Sequence, residues 1–134
     1  MLFRSRVFTP AVVELVQQAT LPGSRIAVFG GPSVYLKSGR LPAVRDFFGN
    51  FLTGYKGHNS DPEAFKFAER DWADDLAKRQ VALVVDVGQM GESNPRLTDY
   101  PLIARVLEQH YRFSPELSSK APGVKVWIPK SRRL

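Results

Sequence analysis

The spacing of apolar positions changes several times along this chain, and each change marks an element. Val12, Leu15, Val16 and Ala19 recur at helical spacing. They predict an amphipathic helix that opens with Thr9 as N-cap and Pro10 in its first turn, and stops at Leu21-Pro22-Gly23. Arg25 to Phe29 is a short apolar run entering Gly30-Gly31-Pro32, the pattern of a buried strand leaving through a tight turn. Ser33 to Ser38 predicts one or two helical turns closed by Gly39, and the apolar segment Leu41 to Phe48 can supply a second strand. The glycines and asparagines between Gly49 and Ser60 predict a mobile surface loop.

Asp61-Pro62-Glu63 is a second helix start, with acids favoured at the positive end of the helix dipole. Phe65, Ala68, Trp72 and Leu76 fall on one stripe and predict a helix over 62–79. Val81 to Val85 is apolar throughout and rich in β-branched residues, as expected of a central strand covered on both faces. After the polar loop Asp86 to Asp99, the residues Leu102, Ile103, Val106, Leu107 and His110 give a last helical stripe. Tyr111 to Phe113 begins an outer strand, and Val124 to Ile128 forms the final one, ended by Pro129. Helices alternating with strands predict an α/β fold with a small open, mostly parallel sheet and helices on both faces, a Rossmann-like three-layer sandwich. The 134 residues suit a single soluble domain over 1–134.

Hydrophobic residues make up 43% and charged residues 24%, which is globular composition. No apolar run approaches the 18 or more residues of a membrane span, and the first six residues are too short and too charged for a signal peptide. The chain has no cysteine, so disulfides, thiolate metal sites and cysteine nucleophiles are excluded. The net charge of +6 permits a polyanionic partner, but the basic residues sit at the ends or among acids with no recognition motif. Nucleic acid is therefore disfavoured.

Gly30, Gly31 and Ser33 are the best candidates for a phosphate cradle, although they match neither a dinucleotide nor a Walker pattern. The alternative is a glycine pair used only for a tight strand exit. Asp86 ends the central strand, where ligands gather in open α/β sheets, and can serve either a ligand or the N–H groups of the following loop. Arg45, Phe47, Phe48, Phe51, Tyr55, Lys56 and His58 interleave aromatic with basic side chains, suited to stacking on a sugar or to plugging the sheet edge. His110 suits packing or compensation of a helix C-terminus, and neither histidine has metal-ligand spacing. Asp71, Asp74 and Asp75 suit a solvated helix face with Lys78 and Arg79 nearby. Ser33 or Ser93 with His58 or His110 shows no nucleophile elbow, which argues against a hydrolase. No cofactor is expected.

Leu21-Pro22-Gly23-Ser24-Arg25-Ile26-Ala27-Val28-Phe29-Gly30, followed by Tyr35-Leu36-Lys37-Ser38-Gly39-Arg40-Leu41-Pro42-Ala43, resembles the post-membrane region of bacterial glycosyltransferases related to dolichyl-phosphate-mannose protein mannosyltransferases. Arg79 to Asp86, Tyr100-Pro101-Leu102-Ile103, Tyr111 and Val124 to Ile128 continue the resemblance in order, while Gly49 to Ser60 departs from it. The resemblance implies the extracytoplasmic C-terminal domain of a polytopic GT-C-type enzyme that uses a polyprenyl-phosphate-linked sugar. Its catalytic acids would lie in a loop between membrane helices, outside this chain. The implied partners are the membrane-embedded remainder of the same chain and a glycan, lipid-linked sugar or acceptor protein. The implied location is the periplasmic or extracellular face of a membrane. The alternative is a stand-alone, cytoplasmic α/β module that binds a phosphorylated small molecule.

Overall fold

The computed structural model describes residues 2–31, 33–44, 62–78, 81–87 and 96–132, and the side chains of these apart from 2–9 and 62–67. Along the chain run α1 (Leu2–Ala19), β1 (Arg25–Phe29), α2 (Ser33–Ser38), β2 (Leu41–Pro42), α3 (Pro62–Lys78) and β3 (Leu83–Asp86). A 3-10 turn (Leu97–Asp99), α4 (Pro101–His110), β4 (Tyr111–Phe113), α5 (Pro115–Ser118) and β5 (Lys125–Pro129) follow. The strands make one five-stranded sheet in the order β2-β1-β3-β5-β4. β1 is parallel to β2 and β3, whereas β5 is antiparallel to both β3 and β4. The fold is thus α/β with a mixed, mostly parallel open sheet. The reversal at β5 follows from its connection: residues 114–124 hold only α5 and a tight turn at Gly123, φ +76°, which suffices between antiparallel neighbours.

Strand side chains alternate between two cores. Ile26 and Val28 of β1, Leu83 and Val85 of β3, and Val126 and Ile128 of β5 meet Val12, Leu15, Val16 and Ala19 of α1 and Leu117 of α5. Ala27, Phe29, Val84 and Trp127 point the other way, against Trp72 and Leu76 of α3 and Ile103 and Leu107 of α4. All four residues of β3 are buried, and β1 and β5 flank it, as the apolar run predicts. The helices over 62–78 and 101–110 cover the same face of it, and α1 covers the other.

Several boundaries differ from expectation. α1 starts at Leu2, so Pro10 lies inside the helix and Thr9 is not an N-cap. An interior proline costs about 3 kcal/mol, yet residues 2–8 contain no glycine or proline to stop the helix. Val12 to Ala19, after Pro10, provide the buried stripe among its described side chains. The second strand is short: β2 ends at Pro42, where Ala43 and Val44 bend into the core, and 45–48 lie outside the described residues. Val81 is buried but precedes β3, and Ala82 N donates to Arg25 O at 2.9 Å.

Because β2 is short, the outer edge of β1 has no strand partner beyond Ile26 among the described residues. Tyr35 fills the gap. Its hydroxyl accepts from Val28 N at 2.7 Å and lies 3.4 Å from Val28 O, so one phenol replaces a strand residue. α2 then closes in a Schellman turn, with Gly39 at φ +70°, Gly39 N donating to Leu36 O at 3.3 Å and Arg40 N to Tyr35 O at 3.1 Å. The Arg40 side chain turns inward and is 8% exposed. Its Nε donates to Thr20 Oγ1 at 2.8 Å, Nη1 to Ser38 O at 2.7 Å, and Nη2 to Thr20 O at 3.0 Å and Gln17 O at 3.3 Å. Thr20 Oγ1 donates to Val16 O at 2.6 Å, and Arg132 Nη2 reaches Ala19 O. Side chains thus satisfy carbonyls at the end of α1 that have no partner within the helix.

Tyr35→Phe removes the hydroxyl and leaves the buried Val28 amide unpaired. The expected cost is about 1–3 kcal/mol of unfolding free energy, read as a lower denaturant midpoint at unchanged slope. A variant as stable as the parent would show that the phenol does not complete β1.

Candidate functional site

β1 and β3 run in register with Phe29 opposite Asp86, so both end at one edge of the sheet. β2 is parallel to β1, and the chain leaves it toward the same edge. In open α/β sheets this carboxyl edge is where ligands bind. The topology therefore gathers the Gly30–Ser33 turn and Asp86 at one place, along with the exits to 45–61 and 88–95. α1 is antiparallel to β1: residues 20–24 join them by a turn in which Ser24 N donates to Leu21 O at 3.1 Å. The N-terminal part of α1 accordingly heads for the carboxyl edge.

The glycine pair is committed to the turn. Gly30 has φ +91°, a region other residues rarely adopt. A methyl at Gly31 would stand 3.2 Å from Val87 Cγ2. Val87 N donates to Phe29 O at 2.9 Å and Val34 N to Gly31 O at 3.0 Å, which locks the turn against both neighbours. The tight-exit role is realised. Ser33 opens the six-residue α2 and is exposed.

Asp86 is fully buried, and Oδ2 accepts from Leu97 N at 2.8 Å and Arg96 Nε at 3.2 Å. Arg96 also donates through Nη2 to Gly123 O at 2.9 Å and through its backbone N to Asp99 Oδ2 at 2.8 Å. Of the two roles open to Asp86, the geometry realises service to loop N–H groups: a buried carboxylate is tolerable because it is paired and hydrogen-bonded. It fixes the far end of the 86–99 loop to the central strand and, through Arg96, to the turn before β5. Arg96 carried no signal in the sequence, since it stands ten positions after Asp86, at the far end of the loop.

Tyr100 stacks edge-on against Phe29, with ring centroids 6.2 Å apart. Burial first, then the charges of Asp99, Glu69 and Asp86, pushes its phenol up to about 12. It is a neutral hydrogen-bonding group at any physiological pH. Glu69 Oε2 accepts from Leu102 N at 2.7 Å, so α3 caps the start of α4, where Pro101 has no N–H to satisfy. A lone glutamate on a helix gives no hint of that pairing.

Arg45, Tyr55 and His58 lie outside the described residues, as do Phe47, Phe48, Phe51, Lys56 and Ser93. His110 stands in the last turn of α4, exposed at the opposite edge of the sheet, and does not pack in the core. The acids of α3 do not form a solvated face: Asp75 is 4% exposed, and Asp71 and Asp74 are partly buried. Nearby basic residues suggest surface pairing, but the Asp75 side chain is turned away from solvent. Among the described residues, no group of three or more His, Asp or Glu side chains is placed to hold a metal, and no helix is long and apolar enough to cross a membrane. Comparison with known proteins finds no matching family model, no matching curated relative and no matching solved structure.

Asp86→Ala strips the acceptor from Leu97 N and the counter-charge from Arg96, for an expected loss of about 2–4 kcal/mol. Asp86→Asn retains an acceptor oxygen and should lose about half as much in the same urea titration. Equal stability of both variants and the parent would mean that Asp86 does not hold the loop.

Proposed function

We propose that this chain is a non-catalytic, extracytoplasmic α/β domain of a polytopic membrane glycosyltransferase that draws on a polyprenyl-phosphate-linked sugar, and that the carboxyl edge of its sheet recognises an acceptor or partner. We further read the fold as Rossmann-like, a sandwich of the sheet between two helical layers. The observation that carries the proposal is topological. The Gly30–Ser33 turn, the exits to 45–61 and 88–95 and the N-terminal part of α1 all share one edge. At about 1.5 Å per residue, the part of α1 before Pro10 adds about 12 Å on that side, enough to stand the edge against a membrane-embedded body.

The residues of the resemblance also have coherent work. Tyr35, Ser38, Gly39 and Arg40 are framework residues, which suits a domain whose recurring pattern maintains a scaffold while its loops vary. Sugar transfer needs a base for the acceptor and positive groups for the departing phosphate. In this account the membrane-embedded part supplies both. The alternative is a stand-alone module that binds a phosphorylated small molecule at this edge, where Gly30 and Gly31 shape the turn and Asp86 accepts from Leu97 and Arg96.

The purified chain is expected to show neither transfer nor hydrolysis with a polyprenyl-phosphate sugar. Titrated with acceptor glycopeptides, it should show amide NMR shifts at Gly30 to Val34, Val87 and Arg96 to Tyr100. Turnover by the isolated chain, or shifts confined to the amino edge, would overturn the proposal.

A further inference from the structure

The opposite edge of the sheet contains a cleft of about 820 Å³ where β1 begins and β5 ends. This lies within the roughly 300–1,000 Å³ typical of small-molecule sites. Its lining has two parts. Leu76, Val81, Tyr111 and Pro129 provide an apolar floor, in which the Tyr111 hydroxyl is spent on Leu76 O at 2.7 Å. Ser24, Arg25, His110, Ser131 and Arg132 provide a polar rim. No acidic side chain is among the described residues that line it.

The charge on the rim exceeds what the scaffold uses. α1, α3 and α4 end on this side, and their terminal carbonyls attract cations. Arg132 answers that demand for α1, donating through Nη2 to Ala19 O, and through Nη1 it donates to Ala82 O before β3 at 3.0 Å. His110 stands in the last turn of α4. Arg25 is different: it is exposed, at the first position of β1, and Nη1 reaches Pro42 O only at 3.5 Å, the outer limit of a hydrogen bond. Its fork of donors is therefore largely available beside an imidazole and two serine hydroxyls.

We propose that this cleft binds a small organic anion, a phosphate or carboxylate carried on an aromatic or aliphatic body. Arg25 and His110 meet the anionic group, and the body lies over Leu76, Val81 and Tyr111. A guanidinium favours planar or tetrahedral oxyanions that can take two parallel hydrogen bonds. The apolar floor adds affinity that a bare ion cannot use. The site is independent of the role proposed for the carboxyl edge, which lies at the other end of the strands.

Phenyl phosphate and inorganic phosphate, titrated into the labelled chain and followed by amide NMR shifts, separate the two halves of the lining. Phenyl phosphate is expected to saturate shifts at Ser24, Arg25, Ala82, Tyr111 and Ser131, and to bind about tenfold more tightly than inorganic phosphate. Arg25→Gln should weaken phenyl phosphate about tenfold. Because Arg25 is exposed, its melting temperature should stay at the parent value. His110→Gln tests the second contact and should also weaken binding. Three outcomes would overturn the proposal: no saturable shift with phenyl phosphate, affinity unchanged by both substitutions, or shifts at Gly30 to Val34 and Arg96 to Tyr100 in place of the cleft.

Discussion

A guanidinium buried among carbonyl oxygens governs one half of this molecule. Arg40 donates to Gln17 O and Thr20 O at the end of α1, to Thr20 Oγ1, and to Ser38 O at the end of α2. Both helix ends carry unpaired carbonyls and negative partial charge, so a fixed cation between them meets two demands together. Arginine suits the place because its planar fork holds five donors at set angles and stays charged at any pH of interest. A lysine would bring three donors at a single point. The same short segment completes the sheet: Tyr35 replaces the strand partner that β2 is too short to supply, and Gly39 turns the chain so that Arg40 points inward. α1, β1 and α2 are thereby fixed to one another, and with them the direction in which the carboxyl-edge segments leave.

A second clamp acts across the sheet. Asp86, Arg96 and the Leu97 amide tie the end of the central strand to the start of α4, and Arg96 carries the link to Gly123 before β5. Glu69 joins α3 to the first turn of α4. The candidate edge therefore rests on polar groups paired with one another, and its described part presents backbone turns, the neutral Tyr100, the exposed Asp99 and the partly exposed Arg96. Such an edge is suited to contact and positioning. The cleft at the amino edge differs physically, since Arg25 on its rim is exposed and makes only a long contact, 3.5 Å, to Pro42 O.

Much of the architecture was legible because it is local. Val81 to Val85 reads as a buried central strand from its β-branched run, and the stripe ending in Trp72 and Leu76 marks α3. Asp61-Pro62 and the glycines at 30 and 39 mark turns and starts whose causes lie within a few residues. The direction of β5 was less accessible, because only the brevity of 114–124 encodes it. The clamps were hidden for another reason. Arg40 and Gln17, Tyr35 and Val28, Asp86 and Arg96, and Glu69 and Leu102 meet across turns or between elements, and no period relates them. Read singly, Arg40 is an ordinary surface charge and Asp75 a solvated acid, yet both are buried.

The central physical claim is that Arg40 unites α1, α2 and β1 into one cooperative unit. Native-state hydrogen exchange on the parent and on Arg40→Met tests it directly, because methionine fills similar volume without donors. The account predicts that amides over 16–20, 26–29 and 34–38 lose protection together, by about tenfold or more, while those of β4 and β5 change little. Loss confined to Ser38 to Leu41, or protection equal to the parent across α1 and β1, would contradict it.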